Sequence, residues 1–234
     1  MDGRGARALV GATAAVGAAV YLYRRWRERS SQASGAVRLA VVFSGKRKSG
    51  KDYCSDKLLA LVGEGVAEIG RLSGPLKKAY AEEHGLDYEE LLTASAYKER
   101  HRKSMIDWGE ARRNADPGFF ATKVLGAATR PVLVVSDARR GSDVDFFLRR
   151  VPAVVRVRVA AADVTREARG WAFAAGVDDA ESECGLDAYG KWDIIIKNDD
   201  GADLHEHLAL LTKNAADALA TQAASMREQM TKPT

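Results

Sequence analysis

Short apolar runs alternate with longer stretches of helical spacing from residue 37 onward. Residues 37–43 (VRLAVVF) read as a strand that stops at Ser44-Gly45, and residues 51–61 then show helical spacing. A second strand is predicted over 66–72. The run 131–136 (PVLVVS) predicts a third, apolar enough to be buried on both faces, and 154–159 and 193–196 supply two more. Helical patterns fill 75–83, 88–114, 118–128, 143–150 and 203–230, and no internal repeat is present. This alternation predicts an α/β fold with a parallel sheet, right-handed crossovers and helices on both faces. Ligands in such sheets bind at the carboxyl ends of the strands.

Ahead of this body the pattern changes. Residues 8–23 (ALVGATAAVGAAVYLY) carry no charge and are followed by Arg24, Arg25, Trp26, Arg27 and Arg29. As a helix this run spans about 24 Å, short of the ~30 Å hydrocarbon core but extendable by Trp26 and snorkelling arginines. Three readings stand: a membrane anchor, a frayed Ala-rich helix, or a cleaved secretory signal. Anchored, the heavier positive flank would leave residues 37–234 on the cytoplasmic side. The secretory reading sits badly with the nucleotide-type motif described below. Residues 30–35 (SSQASG) read as a linker, so the division expected is a leader, 1–36, and one folded domain, 37–234.

Charge sharpens the picture. The chain holds 36 Lys+Arg against 32 Asp+Glu, for a net charge of +4. The leader holds six arginines and two acids, which leaves equal numbers of each sign, 30 and 30, in the rest. A neutral body lacks the general attraction for a phosphate backbone that nucleic-acid binding uses, so no nucleic-acid partner is expected and any cation cluster serves a more local anion. Two cysteines, Cys54 and Cys184, stand in no disulfide-framework or metal spacing, which suits a reduced compartment such as the cytosol.

The chemistry concentrates in a few segments. Gly45-Lys46-Arg47-Lys48-Ser49-Gly50-Lys51-Asp52 matches GxxxxGK directly after a buried strand and before a helix. In that setting backbone N–H groups converge on a β-phosphate and Lys51 reaches the β and γ oxygens. Asp52 stands where Ser or Thr is usual; a carboxylate beside phosphates needs Mg²⁺ between them, so Asp52 is assigned to the metal's surroundings. Three further cations, Lys46, Arg47 and Lys48, suggest that more than one polyanion gathers here, with a solvated charge run as the alternative. Ser136-Asp137-Ala138-Arg139-Arg140 follows the third strand and so reaches the same edge; its arginines can fork onto phosphate oxygens. Asp137 reads equally as a metal-holding carboxylate or a helix cap. Arg71 ends the second strand, and Lys98, Arg102 and Arg113 lie on the long helical insertion. Arg166 and Arg169 precede a glycine-bounded acidic stretch, 176–187, which together suggest a mobile lid over about 163–187. The acids lack EF-hand spacing, and helix capping and surface solvation are expected of them.

GKRKSGKD (45–52), RLSGPLK (71–77), YKE (97–99), ADPGFF (115–120), VSDARR (135–140) and RGWAFAAGVDDAESECGLD (169–187) resemble, in that order and spacing, the animal-type phosphomevalonate kinase family. The resemblance covers roughly residues 37–210. It implies a P-loop, nucleoside-monophosphate-kinase-like three-layer fold with a helical substrate region and a lid. It also implies transfer of the γ-phosphoryl group of ATP, with Mg²⁺, to (R)-5-phosphomevalonate on the mevalonate route to isoprenoids and sterols. By the same resemblance Lys46, Arg47, Lys48, Ser49, Gly50, Lys51, Asp52 and Arg169 bind ATP, and Lys51, Arg47 and Arg139 act on the transferring group. Arg71, Lys98, Arg113, Arg140 and Asn198 meet the substrate. Where the family has an Asn-His pair after the last strand this chain has Asn198-Asp199; the Asn carries over, and an ATP contact at Asp199 would lack the imidazole. A cytosolic monomer is expected. A nucleoside-monophosphate or other small-metabolite kinase of the same fold is the rival enzyme reading, and a silent nucleotide-binding membrane adaptor the rival of another class.

Overall fold

The computed structural model describes residues 37–93, 95–199 and 202–231. Its five strands are β1 (Leu39–Ser44), β2 (Ala67–Gly70), β3 (Val132–Val135), β4 (Ala153–Ala160) and β5 (Ile194–Lys197). Every pairing is parallel, in the order β2-β3-β1-β4-β5. The helices are α1 (Lys51–Val62), α2 (Ser73–His84), α3 (Tyr88–Leu92), α4 (Ala96–Ala115), α5 (Phe119–Ala127), α6 (Gly141–Arg150), α7 (Asp163–Ala168), α8 (Glu181–Cys184) and α9 (Ala202–Thr231).

β1 takes the centre because all six of its residues can be buried. Leu39, Val41 and Phe43 face one core and Ala40 and Val42 the other, the period-two alternation of a strand covered on both sides. On the first face Leu58 and Val62 of α1 and Leu208 and Leu211 of α9 pack against Val134, Val157 and Ile196. On the second, Phe120 of α5 and Phe147 of α6 pack against Leu133 and Val135. Each such large side chain removed from water contributes about 1.5–3 kcal/mol, so two continuous cores hold the three layers together. β5 closes one edge: Ile194 and Ile196 are buried while Ile195 is half exposed, a distinction that the unbroken apolar run does not display.

The long helix expected over 88–114 is instead two. The Asp87 carboxylate accepts the Glu90 N–H (3.1 Å) to start α3, and the Ser95 hydroxyl accepts the Lys98 N–H (3.3 Å) to start α4. Small polar residues compete for backbone N–H groups in this way, and at Ser95 that competition outweighs the apolar periodicity running through it. Helices α2 to α4 form a satellite unit around Tyr80, Leu91 and Met105. Among the described residues no helix is long and apolar enough to cross a membrane. The leader, the linker and their anchor reading lie outside the described residues.

β1 sits between β3 and β4, so three carboxyl ends lie side by side: the one that feeds the glycine loop, the one that feeds Ser136 to Arg140, and the one that feeds α7. The Ala138 N–H donates to the Phe43 carbonyl at 3.0 Å, which joins the first two directly. Because Leu211 is fully buried where α9 covers the sheet, Leu211→Ala should lower unfolding free energy by about 2–5 kcal/mol, measured by denaturant titration.

Candidate active site

The glycine loop is shaped from outside by groups that hold its carbonyls. Arg166 Nε donates to the Arg47 carbonyl (2.9 Å), Arg169 Nη1 to those of Lys48 (3.3 Å) and Ser49 (3.1 Å), and Asn198 Nδ2 also to that of Ser49 (2.9 Å). In a trans peptide the N–H points opposite to the C=O, so these bonds turn the N–H groups of Lys48 and Gly50 to the other face of the loop. Lys48 (φ 61°) is the non-glycine residue with left-handed backbone among the described residues. Gly50 has φ 90°, and a Cβ there would stand 2.1 Å from Asn198 Nδ2. Arg169 Nη2 also donates to the Asn198 carbonyl (2.6 Å), fastening the end of β5 to the loop.

Lys51 opens α1 with a side chain only 10% exposed. Burial, then the Arg139 guanidinium, hold its ammonium below the ordinary lysine value, opposed by Asp52, Asp137 and Glu183. The Asp52 carboxylate lies 3.8 Å from Lys51 Nζ and is largely exposed, open on the side away from the core.

The turn after β3 forms the facing wall. Asp137 accepts N–H groups of Leu72 (2.6 Å) and Ser73 (3.0 Å) with its two oxygens, so of its two readings the contacts are those of the helix cap, at the start of α2. Asp143 is fully buried, and one of its oxygens accepts the N–H groups of Arg139 (2.9 Å) and Arg140 (3.1 Å). Burial raises its carboxyl pKa, opposed by Arg113, whose Nε is 3.8 Å away, and by those two N–H groups. Arg140 is ion-paired with Glu110 on α4.

Between this turn, α2 and α4 lies a cavity of about 140 Å³ bordered by Lys77, Lys98, Arg102, Arg113 and Arg139. Burial, then Lys98, lower the Lys77 pKa; burial, then Arg102, lower that of Lys98. Cations that depress one another's protonation are held closer than they would stay alone, and an anion between them relieves the repulsion. Arg102 is oriented by Glu99 (Nε to Oε2, 2.7 Å). Lys77, which carries no role in the sequence reading, stands one helical turn after Ser73 on α2. Arg71 stands apart from the cavity, half exposed and 3.5 Å from Asp56 on α1. A larger cavity, about 450 Å³, lies beside the end of β4 and is bordered by Lys46, Ser49, Arg158, Arg166, Trp171 and Phe173.

The acidic stretch of 176–187 has a different task from the surface solvation expected of it. Asp178 pairs with Arg47 (2.7 Å) and accepts from Trp171 Nε1 (3.0 Å), Glu183 pairs with Arg139, and Asp187 pairs with Lys46 (2.7 Å) and Arg158 (2.8 Å). Helix capping is not among their bonds: Asp179 accepts the Gly176 N–H at 2.6 Å and Asp178 the Ala174 N–H at 2.8 Å, both inside a turn. The reason is long-range: the cation partners stand from 29 to more than a hundred positions away in the chain, and the parallel sheet brings their segments to one edge. Asp199 directs its Oδ1 to the Ala162 N–H and the Thr165 hydroxyl, both at 2.7 Å, and these bonds lower its pKa. These contacts go to the start of α7.

A parallel sheet whose central strand opens into a glycine loop ending in a buried lysine, faced by arginines from the next strand, defines a P-loop phosphotransferase that uses ATP. Comparison with known proteins narrows this. The phosphomevalonate kinase family model matches residues 43–153. The phosphomevalonate kinase of Drosophila melanogaster is 38% identical over 170 residues, covering 70% of this chain and 89% of that protein. The chain belongs to the phosphomevalonate kinase family. Similar solved structures include a shikimate kinase from Bacteroides thetaiotaomicron (14% identity, 76% of this chain and 98% of that one, TM-score 0.42). A gluconokinase from Sinorhizobium meliloti is another (15% identity, 84% and 99%, TM-score 0.39).

Gly50→Ala places a methyl group against Asn198 in a backbone region that disfavours it. We expect ATP binding weakened at least about tenfold by calorimetry, with the fold retained by circular dichroism.

Proposed function

We propose that this protein transfers the γ-phosphoryl group of ATP to (R)-5-phosphomevalonate, giving (R)-5-diphosphomevalonate and ADP. The observation that carries the reading is the cation-crowded cavity beside Lys51 and Arg139, in a chain that spans most of a phosphomevalonate kinase relative. An acceptor bearing a phosphate and a carboxylate matches Lys77, Lys98, Arg102 and Arg113. Arg140 and Asn198 support it, one through Glu110 and the turn after β3, the other through the phosphate loop. Arg71 would reach the acceptor only by leaving Asp56.

ATP takes the other side of the loop. Its phosphates meet the loop N–H groups, Lys51 and Lys48, and its nucleoside takes the larger cavity, where Trp171 and Phe173 offer aromatic faces and Lys46 and Arg166 offer charge. Arg47 and Arg169 act on the nucleotide through the lid and the loop carbonyls. Asp199 contributes by fixing the lid's root. Mg²⁺ fits the donor chemistry. Asp52 presents an exposed carboxylate next to Lys51, and no cluster of three or more metal-binding side chains occurs among the described residues, so phosphate oxygens and water would complete the shell around it. When bound, the metal neutralises the triphosphate.

A phosphate oxygen of the acceptor attacks the γ-phosphorus as the bond to the β-phosphate oxygen breaks, and ADP leaves. The acceptor dianion is already a nucleophile, so no general base is needed; positioning and charge neutralisation by Lys51 and Arg139 lower the barrier. We propose a monomer acting in the cytosol, a reduced compartment that suits its two free cysteines. The rival acceptor, a nucleoside monophosphate, would need a base-sized pocket beside the cation cavity.

ADP release with 5-phosphomevalonate and Mg·ATP, run beside a panel of nucleoside monophosphates, tests the reading; turnover confined to the nucleotides would sink it. Lys51→Met should abolish transfer while leaving circular dichroism unchanged. Fractionating cells that express the full chain and a chain starting at Val37 tests the leader: an anchor at 8–23 holds only the full chain on membranes, and equal soluble recovery removes that reading.

A further inference from the structure

Glu183 has no ligand role in the scheme above, yet it lies at its centre. It belongs to α8, which is docked on the core: Leu186 is fully buried in the cluster that contains Val135, Ala138 and Phe147. Gly185 packs so closely that a Cβ there would stand 3.2 Å from the Arg139 carbonyl oxygen and 2.7 Å from that of Glu181. This docking holds the far end of the stretch expected to form the lid, and from it the Glu183 side chain, 7% exposed, reaches two ways. Its Oε1 accepts from Arg139 Nη1, which also donates to the Ser182 carbonyl at 3.3 Å, and its Oε2 accepts the Arg47 backbone N–H at 3.1 Å. One carboxylate thus ties the turn after β3 to the phosphate loop at the end of β1.

We infer that Glu183 is a positioning residue for phosphoryl transfer, holding the Arg139 guanidinium and the phosphate loop in a fixed relation so that both meet the transferring group together. The inference rests on the phosphotransfer reading above. A free arginine side chain spreads over several rotamers, and electrostatic stabilisation is most effective when the donor is in place before charge develops. Holding the guanidinium by one nitrogen leaves the donors of the other two for phosphoryl oxygens. Arg139 is gripped at both ends: Asp143 fixes its backbone N–H and Glu183 its side chain. The carboxylate also offsets the repulsion between Arg139 and Lys51, which would otherwise drive the arginine outward.

Steady-state kinetics of the parent, Glu183→Gln, Glu183→Asp, Arg139→Ala and the Arg139→Ala/Glu183→Gln double variant test this. Glu183→Gln keeps the shape and removes the charge; kcat should fall about 10- to 100-fold while KM for both substrates stays within about threefold. Glu183→Asp withdraws the carboxylate by one methylene and should also lower kcat, which covers the case of a misfolded Gln variant. The double variant should lose clearly less than the product of the two single losses, because without Arg139 the Glu183 carboxylate has only the phosphate loop left to hold. A kcat for either Glu183 variant within about twofold of the parent, or losses that multiply in the double variant, would overturn the assignment. A parent chain that turns over no phosphomevalonate counts against the reaction itself, whereas an active parent with an unaffected Glu183 variant overturns only the role of Glu183.

Discussion

Cations repel one another, and a site that handles two polyanions must hold them together before either polyanion arrives. That repulsion organises this protein. Lys51, Lys77, Lys98, Arg102, Arg113 and Arg139 gather near one edge of the sheet, and burial first, then a neighbouring cation, lowers the pKa of each of the three lysines. The structure answers with carboxylates placed one by one: Glu99 on Arg102, Glu110 on Arg140, Asp143 behind Arg113, Asp178 on Arg47, Glu183 on Arg139 and Asp187 on Lys46. The electrical neutrality of the body is therefore local as well as global. Each cation so paired is oriented by its carboxylate, while Lys77 and Lys98 border the cavity without such an ion pair among the described residues.

The same economy governs the phosphate loop. Its N–H groups face a ligand only because its carbonyls are occupied from behind, by Arg166, Arg169 and Asn198. Those three side chains come from α7, the residue after it, and the residue after β5, so the end of α7 and the last strand shape the loop through its carbonyls. Asp199 continues this, tying the end of β5 to the start of α7 where the family's pattern has an imidazole. A carboxylate is well suited to that place, since it accepts two hydrogen bonds at the beginning of a helix.

Much of this was legible in the chain. β1 and β3 are unbroken apolar runs with turn residues after them, and strands of that kind are buried on both faces for want of any polar side to expose. The glycine loop and the paired arginines carried their chemistry in short, local motifs. The division of the long helix was harder, because Ser95 acts as a cap only through a backbone bond that periodicity does not record. Arg71 enters as a substrate residue only through the family resemblance, and in the structure it stands half exposed, 3.5 Å from Asp56 on α1. Lys77 carries no role in the sequence reading because nothing in its own segment shows that α4 brings Lys98 near it.

The sequence by itself determined the alternation of strands and helices, the phosphate loop and the neutrality of the body, since each depends on neighbouring residues or on simple counts. The tertiary structure alone decided which acid meets which cation. Pairs such as Arg47 with Asp178 or Arg139 with Glu183 join segments far apart in the chain, and no local spacing encodes them. They exist because a parallel sheet returns every strand in the same direction, so that loops distant in sequence emerge at one edge. At that edge Coulomb attraction, strengthened by partial burial, selects among the carboxylates within reach.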